Sequence, residues 1–299
     1  MYDIVIIGAG TAGLTAAIYG VRAGKSVLVF EAENYGGQII NSQEVENYPG
    51  IKNISGYEFA TNLYEQAISL GAEIKFAEVT GIKDDGCKKY VMTEKGEIES
   101  KTVILATGAK NRPLGLVDEQ KYIGAGVSYC ATCDGAFFKG KDVAVVGGGN
   151  TALEDAMFLS GYCKKVYLVH RRNSFRGEDK LAGVLMTREN VEFVLESKIT
   201  KLLGGDFLEG IVVQGKEGTE EKTIAVQGLF IAIGKMPNNM MFEDLVELDQ
   251  SGYIKAAEDC KTNREGVFTA GDCRTKSVRQ LTTAAADGAV AGLAACEYI

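Results

Sequence analysis

Cys130 and Cys133 are separated by Ala131 and Thr132 and followed at once by Asp134. A pair with this spacing can close into a disulfide and reopen, a two-electron change, and it reads as a redox centre or as half of a metal site. A zinc site needs two more ligands at similar spacing. The next cysteine is Cys163, there is no second pair, and His170 is the only histidine. No metal is therefore expected. Asp134 is placed to pass the protons that thiols and thiolates exchange. Helical turns and cationic neighbours lower such thiols from ~8.5 towards ~7, which makes the pair competent near neutral pH.

Shortly after the dithiol comes Gly147-Gly148-Gly149-Asn150-Thr151-Ala152, and near the start stands a matching loop, Gly8-Ala9-Gly10-Thr11-Ala12-Gly13. A lone glycine loop is weak evidence. Here each copy follows an apolar strand, opens a helix and precedes a second strand, the context that a dinucleotide fingerprint requires. The glycines let backbone amides approach a pyrophosphate whose charge sits at the helix N-terminus. The residue ending the second strand distinguishes the copies. Glu31 offers a carboxylate to ribose hydroxyls and repels a 2′-phosphate. The equivalent position in the second copy is His170, followed by Arg171, Arg172 and Arg176. Arginine forks fit phosphate oxygens, so the second site is expected to prefer NADPH over NADH. His170 is expected to contact the adenosine side.

These residues need elements to hold them. Ile4 to Ile7 reads as a buried parallel strand, Ala12 to Ala23 as a small-residue helix, and Val27 to Phe30 as the next strand. The pattern returns at Val143 to Val146, Asn150 to Ser160 and Val166 to Val169. The interval from Gly8 to Glu31 equals that from Gly147 to His170, so one supersecondary unit occurs twice. Tyr90 to Leu105 reads as antiparallel strands, and a similar hairpin-rich stretch runs from Val191 to Val226. Leu229 to Gly234 and Gly266 to Asp272 give later strands, and Thr282 to Tyr298 an Ala-rich helix. Pro113 and Pro237 fall near the changeovers, where a fixed φ suits a linker. The expected fold is α/β: two Rossmann-like three-layer (ββα-type) nucleotide-binding domains, the second inserted into the first. Residues 1–112 and 239–299 are expected to form the first domain, and 113–238 the inserted one, NADPH-binding and carrying the dithiol.

With 299 residues, 46% of them hydrophobic and 24% charged, the chain suits a soluble protein of two domains. A net charge of −8 argues against nucleic acid as a partner. No apolar run is long enough for a membrane span. Met1-Tyr2-Asp3 leads directly into a strand, which predicts no signal peptide and a cytoplasmic chain. Cys87, Cys163, Cys260, Cys273 and Cys296 lie scattered and read as small hydrophobes in a reducing compartment.

Taken together, these motifs resemble the low-molecular-weight thioredoxin reductases over essentially the whole chain. The matching segments are Gly126 to Gly135 (Gly-Val-Ser-Tyr-Cys-Ala-Thr-Cys-Asp-Gly), the Gly147 loop, His170 to Arg176, and Gly271-Asp272. Val45 to Gly50 and Arg279-Gln280-Leu281 also fit. The resemblance implies that Gly8, Gly10, Ala12, Gly13 and Glu31 hold FAD, with Gly37, Gln38, Asn47, Val79 and the segment Ala106-Thr107-Gly108. Gly271, Asp272, Arg279, Gln280 and Leu281 complete that site. NADPH is implied at Gly147, Gly149, Asn150, Thr151 and Ala152, at His170, Arg171, Arg172 and Arg176, and at Ile233 and Gly234. Cys133 is implied as the thiol facing the flavin, Cys130 as the one that attacks the partner's disulfide, and Asp134 as the proton donor. The implied partner is thioredoxin or a thioredoxin-like protein, and the implied assembly a homodimer. Because nicotinamide and dithiol share one domain while the other holds the flavin, the domains are expected to turn between half-reactions. Two features depart from the family pattern. Gly115 to Glu119 lacks the usual Pro-Gly, and Glu178 and Asp179 stand beside the proposed phosphate site.

Three rival readings keep parts of this picture. Reduction by ferredoxin or another donor retains the fold, flavin and dithiol but has no need of the arginines. A dithiol oxidase using O₂ likewise has little need of Arg171 and Arg172. A non-catalytic flavin-binding sensor leaves Cys130, Cys133 and Asp134 unexplained.

Overall fold

The run Ile4-Val5-Ile6-Ile7 has no polar face, as suits a strand covered on both sides. A computed structural model describes residues 1–42, 44–215 and 221–299, and there the strand Tyr2–Ile7 is central. Residue contacts divide the chain into two units, Met1–Lys110 with Met236–Ile299, and Asn111–Lys235. Among the described residues no helix is long and apolar enough to cross a membrane.

In the first unit, Tyr2–Ile7 pairs in parallel with Val27–Glu31 on one side and Gly96–Leu105 on the other. Glu73–Phe76 extends the sheet beyond Val27–Glu31. The long strand Gly96–Leu105 serves two partners along its length. Its first half turns into an antiparallel meander with Lys89–Thr93 and Val79–Asp84, while its end pairs in parallel with Val267–Thr269. Alternate residues of the central strand serve opposite layers. Ile4 and Ile6 pack with Leu14, Ala16, Ala17 and Ala291 of the helical layer. Val5 and Ile7 pack with Val79, Val91 and Phe242 on the other face. Helices Thr11–Arg22 and Leu281–Tyr298 lie close together because Gly288 and Gly292 bring no side chain; a Cβ on Gly288 would come within 2.3 Å of the Ala12 carbonyl.

The second unit repeats this plan. Its five parallel strands run in the order Val191–Val194, Lys165–Val169, Asp142–Gly147, Gly228–Ala232 and Val127–Ser128. Helices Asn150–Ser160 and Asp179–Met186 cover one face through Leu153, Ala156, Leu159 and Leu185. A three-stranded antiparallel sheet covers the other through Ile199, Leu202, Ile211 and Val213. Each unit is thus helix, parallel sheet and antiparallel sheet in three layers, the α/β arrangement that the repeated motif predicts. One boundary differs. Val191–Val194 belongs to the parallel sheet, beside Val166–Val169, and the hairpins begin only at Ser197. The strand returns from the helix Asp179–Met186, and a strand–helix–strand crossover returns parallel to its predecessor.

Gly8 shows how tightly this plan is drawn. It sits at φ +108°, and a Cβ there would lie 2.3 Å from the Ala106 carbonyl. Gly8→Ala is expected to destabilise the protein by at least about 2 kcal/mol, from left-handed strain and steric overlap together. Urea unfolding with an unchanged midpoint would contradict this.

Candidate active site

The dithiol lies in the second unit, at the end of the two-residue strand Val127–Ser128, which pairs with Leu229–Phe230. Cys130 takes an extended conformation and opens a single helical turn, Ala131–Asp134. Ala131 anchors that turn in the helical core at 1% exposure. The two sulfurs form a disulfide, with Cα atoms 5.3 Å apart. Cys133 is exposed and Cys130 half-buried. Asp134 is half-buried beside them, and burial raises its carboxyl above the usual range against a lowering hydrogen bond from Ser128.

The segment leading to this turn is fastened by Glu119. Its carboxylate accepts hydrogen bonds from the amides of Leu114 and Gly115 at 3.1 and 2.8 Å, and from the Tyr129 hydroxyl at 2.5 Å. Glu119 is 5% exposed. The stretch that lacks Pro-Gly is therefore held by a buried carboxylate instead. Burial, with Glu119 beside it, pushes the Tyr129 phenol up, so it stays a donor.

The two glycine loops have the same anatomy. Gly147 presses on the Ala232 carbonyl as Gly8 presses on Ala106, each blocking a Cβ at 2.3 Å. A Cβ on Gly149 would meet nothing within 4 Å, and one on Gly10 only the Gly36 carbonyl at 3.9 Å. Gly10 and Gly149, the third residue of each loop, thus face open space, which leaves room for a phosphate chain to approach the amides. Ala152 and Gly13 supply the third close contact, against Gly147 and the Gly8 carbonyl. Asn150 and Thr151 open the second helix.

Around the second loop, the Arg176 amide donates to the Gly148 carbonyl at 2.7 Å, bringing the arginine segment back to the glycines. Arg171, Arg172 and Arg176 are exposed. His170 is not: it is 5% exposed, stacked on Phe175, and set against Gly148, where any Cβ would lie 2.0 Å from its ring. Its Nε2 is buried with no hydrogen-bond partner among the described residues. Burial and the charges of Arg176, Arg171 and Arg172 push the imidazole below its ordinary value despite a main-chain contact from Ser174, keeping it neutral at pH 7. Glu178 lies close by through its amide, which donates to Asn150 Oδ1. Ile233 and Gly234 follow the strand Gly228–Ala232, and the Gly234 carbonyl accepts from the Arg112 amide.

In the first unit Glu31 is pinned at its strand end. Its two oxygens accept from the Ala9 and Glu33 amides at 2.8 and 2.9 Å, which aims the carboxylate beside the loop. Gly36 and Gly37, both with positive φ, close over the same loop, the Gly36 amide donating to the Ala9 carbonyl, and Gln38 lies in the short helix that follows. The Asn47 amide donates to Gln280 at 3.4 Å. Arg279 lies 4.2 Å over the Tyr253 ring, and Leu281 begins the last helix. Gly271 sits against Ala12, and Asp272 follows it in a short turn. Gly108 ends the Ala106 segment with φ +66°. Val79 is buried in the core, so only its main chain is available to a ligand.

Two anchors of this unit escape the motifs. Asn239, fully buried, accepts from Thr107 and donates to the Gly252 and Cys273 carbonyls. Asp287 accepts from the Gly271 amide, from Arg274 and from Lys276, all at 2.7–2.9 Å. Burial opposes its charge, but Arg274 and Lys276 outweigh it and hold the carboxyl below the usual range. Asn239 and Asp287 fix the turns at the ends of neighbouring strands. Neither stands out in the sequence: Asp287 is one of two carboxylates in the helix Leu281–Tyr298, with Glu297. Of the scattered cysteines, Cys163, Cys260 and Cys273 are buried, whereas Cys87 is exposed and departs from the expected small hydrophobe. Burial pushes Cys163 up to about 11, and burial beside Asp287 pushes Cys260 up to about 12.

Two nucleotide-type loops and a joined cysteine pair define a flavoprotein disulfide reductase. The family model for pyridine nucleotide-disulphide oxidoreductases matches residues 2–288. The chain belongs to that family, among its low-molecular-weight thioredoxin reductases. It is 41% identical over its full length to a thioredoxin reductase of Peptoclostridium acidaminophilum, covering 97% of that protein. The structure matches thioredoxin reductase from Streptococcus pyogenes with a TM-score of 0.95 at 41% identity, covering 100% of this chain and 98% of that one. A ferredoxin-flavin thioredoxin reductase from Clostridium acetobutylicum is more distant, at 30% identity and a TM-score of 0.53, covering 99% of this chain and 97% of that one.

Proposed function

We propose that the chain reduces the disulfide of thioredoxin or a thioredoxin-like protein with electrons from NADPH, using FAD in the first unit and Cys130–Cys133 in the second. The observation that carries this reading is the cysteine pair, joined and followed by a raised Asp134, in the same unit as an arginine-flanked glycine loop. The packed and open glycines, with Glu31 aimed beside the first loop, support FAD there. When bound, the flavin supplies a two-electron relay between nicotinamide and disulfide.

The chain's own residues do the rest. Two electrons break the Cys130–Cys133 bond, and Asp134 provides a proton to the sulfur pair. The Cys130 sulfur then attacks the partner's disulfide, forming a mixed disulfide and releasing one partner sulfur as a thiol. Cys133 attacks Cys130, restores the internal bond and releases the second partner thiol. In sum the partner's disulfide gains two electrons and two protons: NADPH supplies the electrons and one proton, and solvent supplies the other by way of Asp134. Arg171, Arg172 and Arg176 bind the 2′-phosphate, and the buried His170 supports the loop beneath it. The same reading carries a homodimer in the cytoplasm, which sedimentation and cell fractionation check.

The rival is reduction by ferredoxin, and the arginines argue against it. Anaerobic mixing with NADPH is expected to bleach the flavin absorbance, and oxidised thioredoxins are then expected to restore it. No bleaching with NADPH, but bleaching with reduced ferredoxin, would select the rival.

A further inference from the structure

Beside the dithiol turn lies a side chain to which the proposed chemistry gives no role. Ser128 is 5% exposed and sits on the short strand that leads into Cys130. Its hydroxyl donates to Asp134 Oδ2 at 2.6 Å and accepts from the Cys130 amide at 3.0 Å. The Cys130 carbonyl lies 3.4 Å from the same oxygen. A hydroxyl has one proton and two lone pairs. The site offers it two acceptors, the Asp134 carboxylate and the Cys130 carbonyl, and one donor, the Cys130 amide, so its single proton serves one acceptor at a time.

Resting on the reading of Asp134 as proton donor, we propose that Ser128 is a positioning residue that keeps Asp134 hydrogen-bonded in both protonation states. With Asp134 ionised, Ser128 gives its proton to the carboxylate and accepts from the Cys130 amide. With Asp134 protonated, the acid donates to Ser128 Oγ instead. The serine proton then turns towards the Cys130 carbonyl, while the amide keeps its acceptor. No buried polar group is stranded in either state, so the carboxyl can cycle without the cost of an unmade hydrogen bond. The same rotation ties the charge on Asp134 to the main chain of the attacking cysteine.

The neighbours supply no substitute. The causes that act on Asp134 are burial and Ser128 alone. From its own turn it faces Cys130 and Cys133, joined as the disulfide. From the helix packed beside that turn and the loop after it come Asp155, Tyr162 and Cys163. Burial and Glu154 push Asp155 up to about 7, against a lowering pull from Lys235. Tyr162 and Cys163 are held neutral by burial. Tyr129 and Glu119, on the segment before the turn, are bonded to one another.

The test uses the flavin-loaded protein and follows the Asp134 carboxyl carbon by NMR against pH, with Asp134→Asn to assign the signal. Ser128→Ala is expected to move its midpoint upward by about one pH unit, the margin by which a hydrogen bond to the charged form exceeds one to the neutral form. The pH profile of disulfide reduction is expected to move the same way. Ser128→Thr and Ser128→Val form a matched pair in volume, which serves even if the alanine variant folds poorly. Threonine is expected to keep the wild-type midpoint and valine to shift it. Equal midpoints in the threonine and valine variants, with Asp134→Asn still slowing turnover, would overturn the role of Ser128 and leave that of Asp134 standing. A pH profile unaltered by Asp134→Asn would remove the proton-donor reading, and the proposal with it.

Discussion

Cys133→Ser is expected to lower the rate of disulfide reduction by at least about 10³-fold, the scale on which loss of an essential nucleophile is felt. The reason is electronic. A serine hydroxyl cannot form the bond that stores two electrons, and at neutral pH it does not supply the anion that attacks sulfur. The substitution removes one exposed sulfur and leaves both glycine loops untouched, so flavin retention and bleaching by NADPH are expected to persist. This split identifies the dithiol as the carrier. If the serine variant still reduced oxidised thioredoxin at the wild-type rate, electrons would be leaving by another route. Cys130→Ser is expected to fail equally in turnover, because the partner's disulfide then has no attacking sulfur.

The second large effect concerns the arginines. In Arg171→Ala/Arg172→Ala, the preference for NADPH over NADH is expected to fall by about 10- to 10²-fold. Each charged hydrogen bond contributes about 1.5–3 kcal/mol. The lower part of that range applies because both side chains are exposed and screened. The loss is expected in KM for NADPH, with little change for NADH, since only the former carries the 2′-phosphate. Added salt is expected to narrow the wild-type preference in the same direction. A selectivity ratio that ignores both the double substitution and ionic strength would show that the phosphate is bound elsewhere.

The repeated glycine loops were legible in the sequence because every part of the motif is local. Each loop follows an apolar strand, and each is packed by a carbonyl from the strand beyond, Ala106 or Ala232. Short unbroken apolar runs, each closed by a glycine loop, likewise announced the parallel strands around Ile4 and Val143. The anchors were not legible. Asn239 meets Thr107, and Asp287 meets Gly271, only after the chain has returned from far away. A single asparagine or aspartate gives no hint of such a partner. Glu119 was visible only beside a missing Pro-Gly, and its bonds to Gly115 and Tyr129 join residues that no local pattern pairs. Val191–Val194 was misread for a related reason: four residues carry too little periodicity to tell a parallel strand from the arm of a hairpin.

Sulfur chemistry in this chain is segregated by solvation. A thiol whose titration lies near 11 or 12 offers almost no anion at physiological pH, and disulfide exchange proceeds through the anion. Cys163 and Cys260 are therefore bystanders to the oxidants that pass Cys130 and Cys133 on every cycle. Cys163 and Cys260 can in this way share a chain with a redox dithiol without exchanging with it.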